Sequence, residues 1–532
     1  MTADPSTTAR RATSTPAELR TALLGLVVVL VGFVAVAVVA AVTLPWSGTG
    51  DSYQHLDYAY QVMAGRLPAP EGHLWEPAGY AGAVLDGRQF ASAHPPAFYV
   101  LVAVVAGPLL DDDWRLAVAV VRGLDIALGV LGVVALWWTG WLVGGRRRVA
   151  TAVALPAVGS ATFCYLRFSA DVYNDLLLTA VTLSCFAVLT LALLRRHGPA
   201  TTAVLAVLSA VGTATKATFV ITLLLVLVGL VGAAVLHGRG GIGRRLLSGL
   251  AHAAAVGLVT ALATGWFYLR NAGGSGSWYR STPKSPVGDR TPKTLLDSLS
   301  NPDYWLVVPR GLVGRGSPDF SSTAAAASLT VVGAAVGIGL AVLLVSLVRR
   351  RGRTLRDLRG ALSPAPLLRD ERTPREVRSL ALATVAGLLL AQLAGSYAAQ
   401  LSHATGYGAY NARYFLPATL TVAAILVAGP LALRPWARAV SVVGIVLSLW
   451  TANVASFVAY ATNALGLGSA VTPGGLVSRA VAATEANGVP GIVVPSALVL
   501  AALSALLLGV VLARRDGTTS EALRGTSAPA PR

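Results

Sequence analysis

The sequence predicts an all-α integral membrane protein that crosses the bilayer about twelve times. Hydrophobic residues make up 55% of the 532 residues, charged residues make up only 12%, and the mean hydropathy is +0.65. These values exclude a soluble globular protein of this length. Apolar runs of roughly 20 residues, the length that a helix needs to cross the hydrocarbon core, recur along the chain. Arginine clusters follow alternate runs, as expected for cytoplasmic loops.

The predicted transmembrane helices are bounded by glycine, proline or charged residues. Only helices satisfy every backbone hydrogen bond within a single crossing segment, apart from closed barrels, whose alternating pattern is absent from these runs. An even number of crossings places both termini on one side. The predicted spans are 21–44, 116–143, 149–168, 172–194, 200–215, 217–236, 247–269, 323–348, 379–401, 413–433, 439–460 and 492–513.

A single transmembrane domain is predicted over residues 21–513. The polar termini, 1–20 and 514–532, have few large apolar residues, so we expect them to be disordered and cytoplasmic. The first apolar run is too long for a cleavable signal and is expected to remain as an anchor. The long loops of the domain are the first outer loop 45–115, the large outer loop 270–322 and the cytoplasmic Arg-rich loop 349–378.

Residues 97–110 form an apolar segment that is too short to cross the membrane. The alternation of the arginine clusters requires the segment to stay on the outer side, so a juxtamembrane helix is expected there. His94-Pro95-Pro96 precedes it, and two prolines cannot continue a regular helix. This motif is expected chiefly to pin the juxtamembrane helix against the outer surface.

The basic residues predict membrane contact and do not predict nucleic-acid binding. The net charge is +18 and the isoelectric point is about 10.5. The arginines concentrate in loops and tails that flank predicted spans, where topology and anionic lipid account for them. The sequence therefore predicts a multi-pass protein of the cell membrane with cytoplasmic termini.

Distinctive polar clusters fall on the predicted outer face, where ionisable groups beside a bilayer are costly and point to function. In order along the chain they resemble the landmarks of the GT-C superfamily, and within it the bacterial membrane family DUF2142. The matching residues are Asp51, His55, Ala59, Tyr60, Gly65, His94-Pro95-Pro96, Tyr99, Arg122, Asn174-Asp175, Lys216, Trp266, Arg270-Asn271, Arg413-Tyr414 and Pro417. They extend to about residue 420.

The resemblance implies a membrane glycosyltransferase that moves a hexose or pentose from a polyprenyl-phosphate donor. The acceptor would be a lipid, glycan or protein of the cell envelope, and the active site would face outward. Asp51 is the candidate base for the acceptor hydroxyl. His55 lies one helical turn further on and would share the acceptor or ligate a metal. The alternative interpretation is that Asp51 caps a helix and that His55 binds a loop carbonyl.

The chain departs from the superfamily pattern at Ser52, because relatives commonly carry a second acid after Asp51. Asp57 is the candidate substitute. A metal site built by the acid pair is therefore in doubt, so a divalent metal stays open and no ligand is assigned. Loss of this acid also keeps a non-catalytic role in envelope assembly open.

Three basic residues, Lys216, Arg270 and Arg413, lie at outer ends of predicted helices and are the candidate clamp for the donor phosphate. The alternative is that each merely extends along its helix to the interface. Asn174 and Asp175 are candidates for contacts to sugar hydroxyls, or for favourable placement at a helix N-terminus. The same motifs add three further candidate substrate contacts: His94, Asn271 and Tyr414.

Transport is the other function class that remains open. A transporter or flippase of lipid-linked saccharide would also keep charged residues among its helices. It would favour polar groups at the membrane midplane and broken helices in two repeated halves, and neither pattern is evident in the sequence.

Overall fold

Helices account for the fold of this protein. A computed structural model describes residues 15–47, 50–70, 72–78, 89–195, 198–275, 291–314, 320–349, 373–468 and 471–514. No strand occurs within these ranges, so the predicted all-α class is confirmed. Ten helices in them are long and apolar enough to cross a membrane, and one bent helix pair would make an eleventh crossing.

The longer helices in chain order are α1 (Pro16–Thr43), α2 (Ser52–Met63), α3 (Ala97–Ala106), α4 (Trp114–Val143), α5 (Arg148–Ser160), α6 (Phe163–Ser169), α7 (Asp175–Leu194), α8 (Pro199–Thr213), α9 (Val220–His237), α10 (Ile242–Ser275), α11 (Phe320–Arg349), α12 (Pro374–Tyr407), α13 (Thr419–Ala432), α14 (Pro435–Ala464), α15 (Leu476–Ala486) and α16 (Val493–Ala513). Short α-helical turns lie at Leu109–Asp112, Leu295–Ser300, Pro302–Trp305 and Val307–Leu312. Short 3₁₀ turns lie at Phe90–Ala93, Gly145–Arg147, Ala217–Phe219 and Ala412–Ala418.

The first helix begins earlier than the predicted residue 21. Thr15 and Glu18 form a capping box, in which each side chain accepts a hydrogen bond from the backbone of the other residue. Pro16 stands at the first helical position, where its missing N–H is not needed. The helix therefore extends into the segment that we expected to be disordered. Residues 1–14 and 515–532 lie outside the described residues.

The predicted span 149–168 is a bent pair rather than a straight helix. Its two parts, α5 and α6, meet at an angle of 70°. Thr162 has an extended backbone and breaks the helix. The side-chain amide of Asn453 donates to the carbonyl of Ala161 at 2.9 Å, which satisfies a backbone group that the break exposes.

The predicted span 200–215 corresponds to α8, which has only 15 residues. At about 1.5 Å per residue such a helix is shorter than the hydrocarbon core. The turn predicted at Thr215 and Lys216 is present, because α8 ends at Thr213 and α9 begins at Val220. This turn places Lys216 at a helix end.

The buried core runs between the helices from α1 to α16, and these two helices pack against each other. α4 packs against α5 and α7, α9 packs against α10, and α11 packs against α13 and α14. Outward-facing leucines such as Leu262 and Leu269 of α10 are about three-quarters exposed in the isolated chain, as expected for side chains that face lipid.

The three long loops are only partly described. In the first outer loop, α2 packs against α3, and α3 begins at Ala97 directly after His94-Pro95-Pro96, as predicted. It ends at Ala106, four residues before the predicted end. In the large outer loop, α10 continues to Ser275, and residues 276–290 and 315–319 lie outside the described residues. Most of the Arg-rich loop, 350–372, also lies outside them.

Candidate functional site

Four charged side chains meet at one end of the helices. The Asp51 carboxylate lies 2.9 Å from the Arg413 guanidinium, and the Asp175 carboxylate lies 2.6 Å from the Lys216 ammonium. Asp175 and Lys216 are almost fully buried, with 2% and 4% of their surfaces exposed. The structure therefore brings together four residues that are separated by up to 362 positions in the sequence.

Helix ends position these four groups. Asp51 precedes α2, Asp175 is the first residue of α7, and Lys216 lies between α8 and α9. Arg413 lies in the turn Ala412–Ala418, and the Asn411 side chain accepts a hydrogen bond from its backbone N–H at 3.1 Å. The tertiary fold thus brings the ends of several helices together at the cluster.

Asp51 occupies the N-cap position of α2, but its side chain makes no capping hydrogen bond, contrary to the alternative interpretation of this residue. Its backbone N–H donates to the Tyr173 hydroxyl at 3.0 Å, while its carboxylate accepts from Arg413. Burial is the largest single influence and by itself would raise the pKa of Asp51, but the charge and hydrogen bond of Arg413, together with nearby charges such as Lys216, outweigh it and hold the pKa below its ordinary value of 3.8. Asp51 is therefore ionised at neutral pH.

At Lys216 the effect of burial on the pKa prevails over the effect of neighbouring charges, in contrast to Asp51. Burial disfavours its ammonium and lowers its pKa, although the neighbouring Asp175 carboxylate acts in the other direction. The Tyr414 ring lies near both cations, with the Lys216 Nζ and the Arg413 Cζ each 5.9 Å from its centroid. The Tyr414 hydroxyl is 3.0 Å from His403 Nδ1. The ring can therefore interact favourably with both basic side chains.

A buried imidazole group lies beside Asp51. His55 Nδ1 is 2.9 Å from the Tyr99 hydroxyl, and the His94 ring lies parallel to the His55 ring at 6.1 Å. Burial lowers the pKa of His55 to about 4 and lowers that of His94 as well. Asn174 joins the same group by donating to Tyr99 at 3.4 Å and to the Thr215 carbonyl at 3.2 Å. Both imidazoles are neutral at pH 7.

Asp57 belongs to a different network and does not join the charged cluster. Its carboxylate accepts from the backbone N–H groups of Leu74 and Trp75 at 2.8 and 2.9 Å. The side chains of Gln61 and Gln89 also donate to it, at 2.8 and 2.5 Å. The Asp57 carboxylate therefore fixes the loop that follows α2 against that helix.

Arg270 also lies apart from the cluster. Its side chain is exposed near the end of α10, and it donates to the carbonyl of Pro68 at 3.3 Å. Asn271, the next residue, is buried. Of the three basic residues predicted to bind the donor phosphate, the structure brings Lys216 and Arg413 together, and their role in phosphate binding stays a prediction.

Sequence reasoning did not assign Asp171, Tyr173 or Tyr99 to the site. Asp171 is fully buried and accepts from the Ser52 hydroxyl at 3.0 Å. A second carboxylate therefore lies beside residue 52, but it comes from the segment before α7. The sequence singled out the neighbouring Asn174 and Asp175, but the contact of Asp171 with α2 needed the tertiary structure.

No group of three or more His, Cys, Asp or Glu side chains is arranged to hold a metal ion among the residues that the structure describes. In the cluster itself, each carboxylate is paired with a cation. Its charges are therefore balanced as two carboxylates and two cations.

No protein-family model and no curated protein matches the chain. Among solved structures, the chain is similar to the apo oligosaccharyltransferase of Archaeoglobus fulgidus, at 12% identity over 93% of this chain and 55% of that chain, with a TM-score of 0.37. It is also similar to ArnT of Cupriavidus metallidurans bound to undecaprenyl phosphate, at 16% identity over 90% and 76% of the two chains, with a TM-score of 0.37.

The fold and the site together define a multi-pass, all-α membrane protein with a partly buried cluster of charges at one end of its helices. The two solved structures named above are an oligosaccharyltransferase and ArnT. The chain spans about half the length of the archaeal enzyme, 55%. With TM-scores of 0.37 and identities of 12% and 16%, this likeness establishes neither the superfamily nor the activity of the chain. The narrower resemblance to DUF2142 gains no support from the comparisons.

Proposed function

We propose that this protein is a membrane glycosyltransferase that uses a polyprenyl-phosphate sugar. One observation carries the proposal: an ionised and partly exposed carboxylate, Asp51, shares one cluster with the cations of Lys216 and Arg413. Transfer from a lipid phosphate needs both a base for the acceptor hydroxyl and cations for the departing phosphate. The cluster contains these two kinds of group at one helix end.

The proposed reaction runs through Asp51. Its carboxylate takes the proton of an acceptor hydroxyl, and the acceptor oxygen forms a bond to the anomeric carbon of the sugar. The bond between that carbon and the phosphate oxygen breaks, and the polyprenyl phosphate leaves with the electron pair. Lys216 and Arg413 stabilise the negative charge on this phosphate, which needs no protonation to leave.

Because Asp51 is paired with Arg413, we expect the pKa of Asp51 to depend on whether the donor is bound. In the free protein the guanidinium holds the pKa of Asp51 below 3.8, so the carboxylate is a weak base. A donor phosphate on Arg413 competes for the same guanidinium. The pKa of Asp51 then rises toward the value that burial favours, and its strength as a base increases when donor is bound.

The residues around the cluster are suited to orient an acceptor or a sugar. His55 is neutral and lies within a ring centroid distance of 5.0 Å of Tyr173, whose hydroxyl holds the backbone of Asp51. We assign the outer face of the cell membrane to this end, because the basic helix ends Arg146–Arg148 and Arg434–Arg438 lie at the other. Both termini are then cytoplasmic, and the acceptor is a component of the envelope.

The test is sugar transfer by the purified, full-length protein in proteoliposomes. A panel of radiolabelled polyprenyl-phosphate hexoses and pentoses is offered together with envelope extract. We expect transfer by the wild type and a loss of at least about 100-fold in Asp51→Asn, because general-base catalysis typically contributes that much. Asp112→Asn is the matched control, since Asp112 is exposed on the same loop and outside the cluster.

The folding of each variant is compared by its thermal unfolding midpoint. Equal transfer by wild type and Asp51→Asn would exclude Asp51 as the base. An equal loss of transfer in Asp112→Asn would show that the effect comes from removing a negative charge from this loop and not from losing the base. No transfer by the wild type across the whole panel would contradict the proposed function and favour transport or a scaffolding role.

A further inference from the structure

A second polar site lies at the opposite end of the helices from Asp51. It is a cavity of about 820 Å³, between the end of α9 and the beginnings of α8 and α10. Lys216 precedes α9 at one end, and His237 ends α9 at this cavity. The 18 residues of α9 separate the two sites by about 27 Å. Polar and basic side chains line the cavity: Thr201, His237, Arg239, Arg244, Arg245 and His252.

The lining carries positive charge and, among the described residues, contains no carboxylate. Arg239 and Arg244 are exposed at the rim, whereas Arg245 is only 3% exposed. His237 lies 2.8 Å from the Leu193 carbonyl, and His252 Nδ1 lies 2.9 Å from the Thr202 hydroxyl, so both rings are fixed. Three guanidinium groups around one cavity concentrate a positive potential there.

Two helix N-termini add to this potential. α8 begins at Pro199 and α10 begins at Ile242, and residues of both first turns line the cavity. The N-terminus of a helix carries a partial positive charge and unpaired N–H groups. The cavity is therefore suited to an anion such as a phosphate ester.

The neighbouring surface of α10 indicates where that anion comes from. Leu247 lies three residues after Arg244, so the two side chains are neighbours on the surface of α10, and Leu247 is 70% exposed. In a membrane-spanning helix such a side chain faces acyl chains. A lipid would thus place its phosphate among the arginines and an acyl chain against Leu247, whereas a free anion would leave this apolar side chain unused.

We propose that this cavity binds the phosphate-bearing head group of an anionic membrane lipid. Basic pockets between helices on the cytoplasmic side commonly hold such head groups. The site is distinct from the proposed donor site, because it lies at the other end of the helices and shares no residue with the cluster around Asp51.

Native mass spectrometry of the delipidated, full-length protein in detergent tests this proposal. Dioleoyl-phosphatidylglycerol and dioleoyl-phosphatidylcholine are added at equal concentrations, and the bound lipids are counted. We expect the wild type to prefer the anionic lipid by about tenfold or more, since each arginine near the head group contributes about 1 kcal/mol. Arg239→Gln combined with Arg244→Gln should remove most of this preference. Both side chains are exposed, so the double variant should keep the fold.

Arg434→Gln is the matched control, because Arg434 is exposed at the Arg-rich end of the helices but does not line the cavity. Retention of the wild-type lipid preference by this control supports the site. An unchanged preference in the double variant, or an equal loss in Arg434→Gln, would overturn it. Sodium phosphate is added in a separate arm. Complete displacement of phosphatidylglycerol by phosphate would overturn the lipid as the ligand and identify a free anion instead.

Discussion

At the scale of single residues, Asp51 and His55 show how neighbouring groups take opposite charge states. They lie one helical turn apart at the start of α2. Asp51 is ionised because Arg413 stabilises its charge, whereas His55 is neutral because burial penalises its cation. The site therefore presents a fixed negative charge beside a neutral ring, which can donate or accept a hydrogen bond according to its tautomer.

The pKa of His55 predicts a pH dependence of stability. The folded pKa of about 4 lies below the unfolded value of 6.5, so between these values the unfolded chain binds more protons. Stability from this group is present above pH 6.5 and is lost as the pH falls toward 4. We expect the wild type to lose about 2 kcal/mol through His55 between pH 7 and pH 5, and His55→Gln to remove that part of the loss.

The measurement is the thermal unfolding midpoint in detergent at both pH values. Tyr99→Phe is the comparison, because it removes the hydroxyl partner of His55 and leaves the buried imidazole in place. This variant should keep the wild-type pH dependence. A wild-type dependence in His55→Gln would show that the imidazole does not titrate as the structure implies.

At the scale of helices, close packing depends on small residues where two helices cross. Gly339 of α11 contacts the backbone of Gly429 of α13, so a Cβ atom on Gly339 would overlap main-chain atoms of the other helix. Backbone cannot move aside as the end of a flexible side chain can. This approach is the small-residue packing expected between membrane helices.

Gly339→Ala should therefore destabilise the protein, whereas Gly333→Ala on the same helix should not. Overpacking typically costs about 1–3 kcal/mol. A Cβ atom on Gly333 meets nothing within 4 Å, and alanine is the better helix former by up to about 1 kcal/mol. Thermal unfolding of both variants in detergent checks this difference. Equal unfolding midpoints for the two variants would contradict the close backbone contact between Gly339 and Gly429.

At the scale of the whole molecule, the proposed topology has the charged cluster outside and the Arg-rich helix ends inside. The two native cysteines, Cys164 and Cys185, are both buried and free, so we expect neither to react with a thiol label. Asp112 and Arg434 are exposed at opposite ends of the helices. Single cysteines at these two positions report the orientation of the chain.

Asp112→Cys should react with a membrane-impermeant maleimide in intact cells, and Arg434→Cys should react only after permeabilisation. The wild type, which lacks an exposed thiol in the described residues, is the background control. The reverse pattern would invert the topology and move the proposed donor site to the cytoplasmic face. Labelling of both positions in intact cells would mean that the maleimide had crossed the cell membrane.

The sequence predicted much of the fold because helix formation in a membrane is a local problem. Every backbone group must be satisfied within its own segment, so an apolar run of sufficient length indicates the element by itself. The predictions that failed concern two spans in which the helix is broken or too short. Thr162 breaks the third span with the help of Asn453 from a distant helix, and the fifth span is too short to cross fully. Neither effect changes the hydropathy of the run.

The predicted site residues were also only partly confirmed as neighbours: some lie together in the structure and others do not. Lys216, Arg270 and Arg413 were predicted together because all three lie at outer helix ends, and the structure places Lys216 and Arg413 near Tyr414. Arg270 makes another contact, and Asp57, predicted as a substitute for the missing second acid, belongs to a separate hydrogen-bond network. Residue type and sidedness were available from the sequence, whereas the direction of each side chain depended on which neighbour offered the better hydrogen bonds.

The sequence by itself determined that the chain is a helical membrane protein, because this follows from the cost of moving polar groups into hydrocarbon, and it predicted a common side for the polar motifs. Only the tertiary structure decided that Asp51 pairs with Arg413, that Asp171 lies behind Ser52 and that three arginines surround one cavity. These contacts join residues far apart in the chain. They depend on how the helices pack, and no local pattern in the sequence encodes that arrangement.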